Sequence, residues 1–591
     1  MTARTVPPIL VLTGAVVALT ALFAHEIGLD HNDVWGNGRS LLLGIGALLI
    51  TWGLFRYVGM PGANRMESRI RLRRPGNLDE ALAAGGTSPE KTYSRRTLQA
   101  WILAGLGAVL VGTIYVWFVS VGYWTSWPKT THTYDLLGTA FSHGQISLEE
   151  MPDAALRTLP NPYDPIARKG IQYPWDASLF GGRYYLYWGP VPGLVLALIK
   201  ISYVGEIADQ YLVFGFVFGV FVLSMFLALA LWNRHFRDRL PAGTVLPAVL
   251  VLGLICPSTW LLNRPSGYEA AIAGGQFFLL AGLYFAYVSF TRATPSAPTL
   301  ILAGACWALA VGSRASTVIA VVVFASMTIV RMMRRFPQRA EFLRSFASLA
   351  TPMVLGAIGL ATYNWARFGS ILEFGLRYQL TVIDFNRLHD QAFSIRYIAD
   401  NLRSYLLNPF RIGRLFPFVT ALPPQVLPPG PARGIAAAEI EPVAGLLLSS
   451  PFLALALVPI QTLLAGHRGG NSAREAVPER QPGADLDWIA ACLAGSSVLS
   501  FAFLLMYFYP TMRQLEDVVP CLALLAVLGF WQGCSRLEAQ ALARSIYVTC
   551  AIALAVITIT GSSLLAVTSY DNRFLHLNRE LLRQLIHFFG R

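Results

Sequence analysis

Between Pro8 and Val567 the chain returns repeatedly to apolar runs long enough to cross a hydrocarbon core of about 30 Å. Backbone inside lipid has no water to bond to, so each run must close its own hydrogen bonds, and helices do that within one segment. The sequence therefore predicts an all-α polytopic membrane protein. Only 13% of the 591 residues are charged and 54% are hydrophobic, where a soluble protein carries roughly a quarter charged residues. No soluble domain of any size is expected.

Spans are expected near residues 8–24, 40–57, 98–120, 211–231, 244–262, 268–289, 298–313, 316–331, 346–364, 441–463, 487–508, 516–532 and 545–568, about thirteen transmembrane helices in all. The run from Val191 to Val204 has about fourteen residues, too few to cross, and reads as a re-entrant or interfacial helix. Pro8 to Ala24 has neither a strong basic flank nor a small-residue cleavage site before His25, so it reads as a retained helix.

The formal net charge of +13 raises the question of nucleic acid or an anionic surface. Its placement answers it, because the basic residues fall mainly in short loops between apolar runs. Residues 59–97 hold Arg65, Arg69, Arg71, Arg73, Arg74, Lys91, Arg95 and Arg96, and further basic turns run Arg234 to Arg239, Arg331 to Arg339 and His467 to Arg480. This is the positive-inside pattern of cytoplasmic loops, so membrane lipid rather than nucleic acid is the expected partner. One thread puts the N-terminus inside and the C-terminus outside. It divides the chain into two N-terminal spans with a basic loop (1–97), a main transmembrane module (98–568) and an amphipathic tail (569–591). All six cysteines lie in or beside apolar segments, which predicts no disulfide framework and no thiolate metal site.

The same thread places the long polar stretches 121–189 and 365–440 outside, together with the tail. Overlapping the first are about sixty residues from Tyr134 to Pro192 rich in carboxylates, aromatics and prolines, and a loop of that size more often holds a site than joins helices. Short helices are expected within it. Three junctions add polar residues on that face: Asn263 to Glu269, Gly312 to Ser316 and Tyr509 to Asp517.

Asp135, Asp176 and Asp164 are the candidate catalytic residues, since a carboxylate at a membrane-embedded cleft can take a proton from an attacking hydroxyl or amine. Each also has a structural reading: Asp164 before Pro165 as a turn residue, Asp176 as a helix N-cap, and Asp135 as a cap of a short helix. Arg314, Arg264, Arg377 and Arg513, with Arg367 beside them, are candidates for phosphate, because a guanidinium offers two parallel donors to anionic oxygens. Arg314 stands out because no acidic residue is adjacent in sequence. Glu269, Glu516 and Asp517 are expected to neutralise Arg264 and Arg513. Tyr134, Trp175, Tyr185, Tyr187, Tyr268, Glu269 and Tyr378 are the expected substrate contacts.

No metal site is assigned. The nine histidines form no His-x-x-x-His or His-Glu-x-x-His pair, and a divalent cation held by aspartates is the one cofactor alternative. There is no Walker-type phosphate loop. Gly274-Gly275 reads as a helix-packing position.

Several motifs together resemble the GT-C superfamily of integral membrane glycosyltransferases. They are Tyr134-Asp135, Phe141-Ser-His-Gly144-Gln145, Asn161-Pro-Tyr-Asp-Pro165, Trp175-Asp-Ala-Ser178, Gly182-Arg-Tyr-Tyr-Leu-Tyr-Trp-Gly-Pro190 and Tyr363-Asn-Trp-Ala-Arg-Phe-Gly-Ser370, spread over roughly residues 98–530. The resemblance is to a bacterial branch of glycosyltransferase-like proteins. It implies a large first extracytoplasmic loop with an acidic residue near its start and a proline-bearing aromatic close, Tyr184 to Pro192. It also implies a multi-pass inner-membrane enzyme that moves a sugar, with inversion, from a polyprenyl-phosphate donor to a glycan, lipid or protein acceptor on the periplasmic face. Where the family carries its acid before the aromatic, this chain has Thr131-His132-Thr133, so the resemblance implies the catalytic role for Asp135, with Asp176 and Asp164 as the alternatives. The competing classes are a flippase of lipid-linked glycans, which predicts internal repeats and midplane charges not found here, and a catalytically silent envelope scaffold.

Overall fold

The computed structural model describes residues 89–292, 296–336, 338–435, 439–468 and 482–589. The expected spans at 8–24 and 40–57, most of the first basic loop and most of the His467–Arg480 linker lie outside them. The chain divides into two units, Met1–Thr92 with Tyr123–Pro128, and Tyr93–Gly122 with Lys129–Arg591. What is described of the first is mainly the turn Tyr123–Pro128, in which the Trp127 indole donates to the Trp124 carbonyl at 3.3 Å.

In the second unit the architecture is helical. Among the described residues eight helices are long and apolar enough to cross a membrane: Arg95–Val119, Asp209–Phe236, Gly267–Thr291, Ala315–Arg335, Arg339–Phe368, Ala484–Leu505, Val519–Arg536 and Ala541–Val567. Each coincides with an expected span. Ala297–Ser313 also matches one but has only 17 residues, a length of about 26 Å.

Two expected spans are broken. The segment 244–262 forms Val245–Leu254 and Ser258–Leu262, divided before Pro257. The segment 441–463 forms Leu446–Ser449, a tight turn Pro451–Ala456, and only then Leu457–Arg468. Hydropathy sees one run in each case, whereas proline removes a donor and clashes with the preceding turn. The run after Tyr187 becomes the 10-residue helix Val191–Lys200, too short to cross.

Gly267–Thr291 packs against Asp209–Phe236 and Ala297–Ser313, which in turn lies on Arg339–Phe368. Burial ranks them: 72% of the most apolar window of Gly267–Thr291 and 83% of that of Val519–Arg536 are buried, against 11% for Arg339–Phe368. The two central helices begin at the junctions that carry Tyr268, Glu269, Arg513 and Glu516. Polar residues at those starts are thus held by the most buried part of the bundle.

The other end of the bundle is basic and stitched together. Arg96 donates to the Arg237 and Asp238 carbonyls at 3.4 Å, Arg544 to the Arg239 carbonyl at 3.4 Å, and Arg335 to the Arg292 carbonyl at 2.6 Å. The buried Asp485 receives Arg234 at 2.6 Å and also Arg331.

Over the polar end, the first loop supplies the helices Thr133–Ser142 and Ala154–Thr158. It also forms a hairpin that a purely helical expectation misses. Strands β1 (Ala177–Phe180) and β2 (Arg183–Leu186) pair antiparallel with Ala177 opposite Leu186. Their two-residue turn is Gly181-Gly182, at φ +57 and +72, the left-handed backbone that a tight hairpin asks of glycine. The second loop adds β3 (Phe410–Ile412) and β4 (Val419–Ala421). It has a small core of its own, in which Ile383, Phe385, Ala392, Tyr397, Ala432 and Ile435 pack with Phe508 and Tyr509.

In the tail, Phe574 packs on Trp117 at 4.5 Å and Asn578 donates to the Val121 carbonyl at 2.9 Å. The helix Arg579–Phe589 follows, and Phe589 stacks on Phe416 at 5.2 Å.

The hairpin's exit meets the bundle backbone to backbone. A Cβ on Gly189 would fall inside the Gly312 carbonyl group, two residues before Arg314. Gly189→Ala is therefore expected to lower the thermal midpoint in detergent by several degrees, in line with overpacking costs of about 1–3 kcal/mol. Gly215→Ala, at a helical position with no atom within 4 Å, should leave it unchanged or slightly raised.

Candidate functional site

Three arginines from three separate helix junctions meet at the polar end of the bundle, and Tyr268 stands among them. The Arg513 guanidinium lies 3.9 Å over the Tyr268 ring and that of Arg314 lies 5.6 Å from it. Trp188 and Tyr187, at the hairpin's exit, approach the same ring at 5.7 and 6.4 Å.

Each arginine is paired. Arg314 Nε donates to both Asp517 oxygens, at 3.0 and 2.9 Å, across 203 residues of sequence. Ser316 donates to the same carboxylate at 3.0 Å and Gln276 at 3.5 Å. Arg264 Nη1 and Arg513 Nη2 both reach Glu441 Oε1 at 2.8 Å. Arg264 also meets Asp571 at 3.3 Å and lies over the Tyr570 ring at 4.5 Å. Arg513 meets Glu269 at 3.4 Å, whose other oxygen receives the Ser266 hydroxyl.

The expected pairing of Glu269 with Arg513 is present. The expectation that Glu516 and Asp517 serve Arg264 and Arg513 is overturned: Asp517 belongs to Arg314, and both Glu516 oxygens take the Ser258 hydroxyl at 3.2 Å. Adjacent residues in the turn Met512–Asp517 point in different directions, so nearness in sequence did not decide the partner. Burial opposes the charge of Arg513, but the Glu441 and Glu269 carboxylates outweigh it and hold that guanidinium firmly charged. Burial likewise works against the Glu441 carboxylate, and Arg513 and Arg264 prevail, bringing it below the ordinary range.

The three loop aspartates take three different places. Asp135 forms an ion pair with Lys200 at 2.8 Å and accepts the Ile207 N–H at 3.0 Å, which ties the first loop's helix to Val191–Lys200. It does not cap its own helix. That task falls to Asp209, which accepts the Thr133 and Tyr134 N–H groups at 2.8 and 3.1 Å. Asp164 accepts the Ile166 N–H at 2.9 Å in the turn around Pro165, which is its structural reading.

Asp176 is not a helix N-cap, because a strand follows it. It has φ +63, a left-handed value uncommon outside glycine, and its conformation is imposed by pairing with a distant segment. The Asp176 N–H donates to the Leu380 carbonyl at 3.1 Å and the Leu380 N–H to the Ala177 carbonyl at 2.8 Å. Its carboxylate accepts the Gln379 amide at 2.8 Å. Burial pushes this carboxyl up from the ordinary aspartate range, against the opposing pull of Thr381, Arg513, Gln379 and Arg264.

Among the expected substrate contacts, Tyr268, Glu269 and Tyr187 belong to the cluster, and the Tyr134 hydroxyl donates to the Gly189 carbonyl at 3.2 Å. Tyr185 and Tyr378 are instead packing residues, at 5.5 and 5.7 Å from Phe368. Trp175 is 55% exposed and stacks on Tyr173. Arg377 is exposed on the turn Leu376–Tyr378 and makes none of the cluster's contacts. Arg367 is occupied by the Leu186 carbonyl and Asn364, with its guanidinium 4.0 Å over Tyr363. Among the described residues no three His, Cys, Asp or Glu side chains come together to hold a metal ion, so the divalent-cation alternative has no donor set there.

Glu441, Asp571, Gln276 and Gln379 are the cluster members that the sequence did not single out. Glu441 lies 177 residues from Arg264, and its local sign was no more than an acid before Pro442 at the edge of an apolar run.

No family model matches this chain, and no curated protein does. Among solved structures, it is similar to ArnT from Cupriavidus metallidurans bound to undecaprenyl phosphate, at 11% identity and a TM-score of 0.35, over 79% of this chain and 76% of that one.

Glu516 offers a test of the buried charge. Burial raises its pKa to about 8, with Asp517 adding to the rise and Ser258 opposing it. The folded state therefore keeps the proton while the unfolded state releases it near the ordinary glutamate value of about 4.3. Stability falls as pH rises between those values, and the slope vanishes above the upper one. The thermal midpoint of the parent protein is expected to fall between about pH 5 and about pH 8, and that of Glu516→Gln to fall less.

Proposed function

We propose that this chain is a membrane glycosyltransferase that takes a sugar from a polyprenyl-phosphate carrier and passes it to a cell-envelope acceptor on the extracytoplasmic face. The observation that carries the reading is the gathering of Arg314 and Arg513 over Tyr268, with Arg264 joined to Arg513 through Glu441, at one end of an apolar bundle. Basic residues crowd the opposite end, which supports a cytoplasmic assignment for that end and an outward-facing site.

Asp176 is the base. Its carboxylate takes the proton of the acceptor hydroxyl or amine as that atom attacks the anomeric carbon. The bond from that carbon to the phosphate oxygen breaks on the opposite side, which inverts the centre. The leaving phosphate keeps the bonding electrons and stays on the lipid. Guanidiniums fixed in a water-poor site stabilise the charge that develops on the leaving oxygen, and they need no reorganisation to do so. Tyr187 and Tyr268 supply flat apolar faces for a sugar ring. The polyprenyl tail stays among the helices, so the polar end handles only sugar and phosphate.

Asp176→Asn is expected to lower sugar transfer from polyprenyl-phosphate donors in reconstituted membranes by about 10²–10⁴-fold, the usual cost of losing a general base. Arg314→Gln should lower it comparably, while Asp164→Asn should stay within a few-fold of the parent. Because the base works deprotonated and burial raises its pKa, the rate should fall on acidification at a pH above the ordinary aspartate value of about 3.9. Full turnover by Asp176→Asn in a folded protein would overturn this reading.

A further inference from the structure

Glu441 differs from Asp517 and Glu269 in what holds it, and from Asp571, which meets Arg264 alone, in serving two arginines. Asp517 is fixed by Ser316 and Gln276 as well as by Arg314, and Glu269 by Ser266 as well as by Arg513. The Glu441 carboxylate has only arginine partners among the described residues, both on one oxygen at 2.8 Å. Its backbone belongs to neither helix nor strand and is tethered by its N–H to the Tyr509 hydroxyl. For both Arg264 and Arg513 it is the shortest ion-pair contact, and its side chain is only 7% exposed.

Two guanidiniums from different junctions aimed at one anionic oxygen are the arrangement a phosphate oxygen would receive. With no anion between them, two largely buried cations would repel each other and carry an uncompensated desolvation cost. Glu269 and Asp571 each offset one of the two cations, and a negative group at the shared point removes the remaining repulsion. A side chain secured by charge alone is the group that a ligand of like charge can replace.

We propose that Glu441 is a resident counter-ion in a phosphate site built by Arg264 and Arg513, and that the phosphate of a polyprenyl-phosphate lipid binds by displacing it. This rests on the function proposed above and adds how the donor enters. The step is an ion exchange without covalent change: the Glu441 carboxylate leaves with its charge into water, and a phosphate oxygen takes both guanidiniums. The phosphodiester of such a donor offers two non-bridging oxygens, and a monophosphate three, where Glu441 uses one, so Arg513 Nε, buried and without a hydrogen-bond partner, gains an acceptor. The empty protein is held in its resting form by Glu441, and the apparent affinity for the lipid is reduced by the fraction of molecules so held.

The test is equilibrium binding of polyprenyl monophosphate to the full-length chain in detergent, with unphosphorylated polyprenol and inorganic phosphate as the other two probes. Glu441→Gln is expected to bind polyprenyl monophosphate about tenfold or more tightly than the parent, because the competing charge is gone while an amide oxygen still accepts from one arginine. Binding of polyprenol should not change. A parallel gain for inorganic phosphate would assign the effect to the phosphate group alone, and a gain confined to the lipid would assign it to phosphate presented on a membrane tail. Either outcome supports the exchange.

A readout that needs no variant is hydrogen exchange in the parent over residues 439–443. It should speed up when polyprenyl monophosphate is added and stay constant with polyprenol. Equal or weaker binding by a folded Glu441→Gln protein, or unchanged exchange at saturating lipid, overturns the proposal and leaves the glycosyltransferase reading standing. Failure of the parent to bind polyprenyl monophosphate at all removes both.

Discussion

A guanidinium that leaves bulk water must find an anion, and much of the polar end of this protein follows from that requirement. Arg264, Arg314 and Arg513 each begin or end a helix in apolar surroundings, where an unpaired charge is costly. Their partners come from elements remote in sequence: Asp517 from one central junction, Glu441 from the end of the second loop, and Asp571 from the start of the tail. Every pairing therefore joins two pieces of chain. The arginines weld helix ends to one another, and they leave a compact charged surface near the aromatic close of the first loop.

The same requirement governs the opposite end, with a different outcome. There Asp485 is shared by Arg234 and Arg331, while Phe290 and Trp488 lie 5.4 and 5.6 Å from the Arg331 guanidinium. Arg96, Arg335 and Arg544 bond backbone carbonyls. Carboxylates are scarce in that region, so it keeps its positive excess, whereas at the site the carboxylates outnumber the arginines they meet. This asymmetry, more than the total charge, is what the positive-inside pattern of the sequence reflects.

The apolar bundle was legible because hydropathy over twenty residues is a strong signal that needs no knowledge of neighbours. The breaks at Pro257 and Pro451 were readable in principle, since proline acts locally. The hairpin at Gly181-Gly182 had a local sign too, masked by the helical character of the rest. The partners were not legible. Nothing near Arg314 in sequence points to Asp517, and the separation of roles among Asp135, Asp164 and Asp176 depends on Lys200, Ile166 and Gln379 respectively. Carboxylates of similar local context become a clamp, a turn and a candidate base because the chain brings different groups to each.

The buried Arg168 has a further consequence. It donates to the Pro162, Tyr163 and Thr381 carbonyls and lies 4.9 Å over Tyr173, while Asn161 donates to Asp384 at 2.7 Å. The two polar loops are thereby one mechanical part, although some two hundred residues separate Arg168 and Asn161 from their partners along the chain. Neither can drift in the course of descent without the other: a replacement at Asn161 or Arg168 strips partners from residues 381–384, and relief must come from that second loop. Diversification of such a cap should proceed by paired changes at its seam and by free variation at its tips, leaving the charged floor beneath it intact.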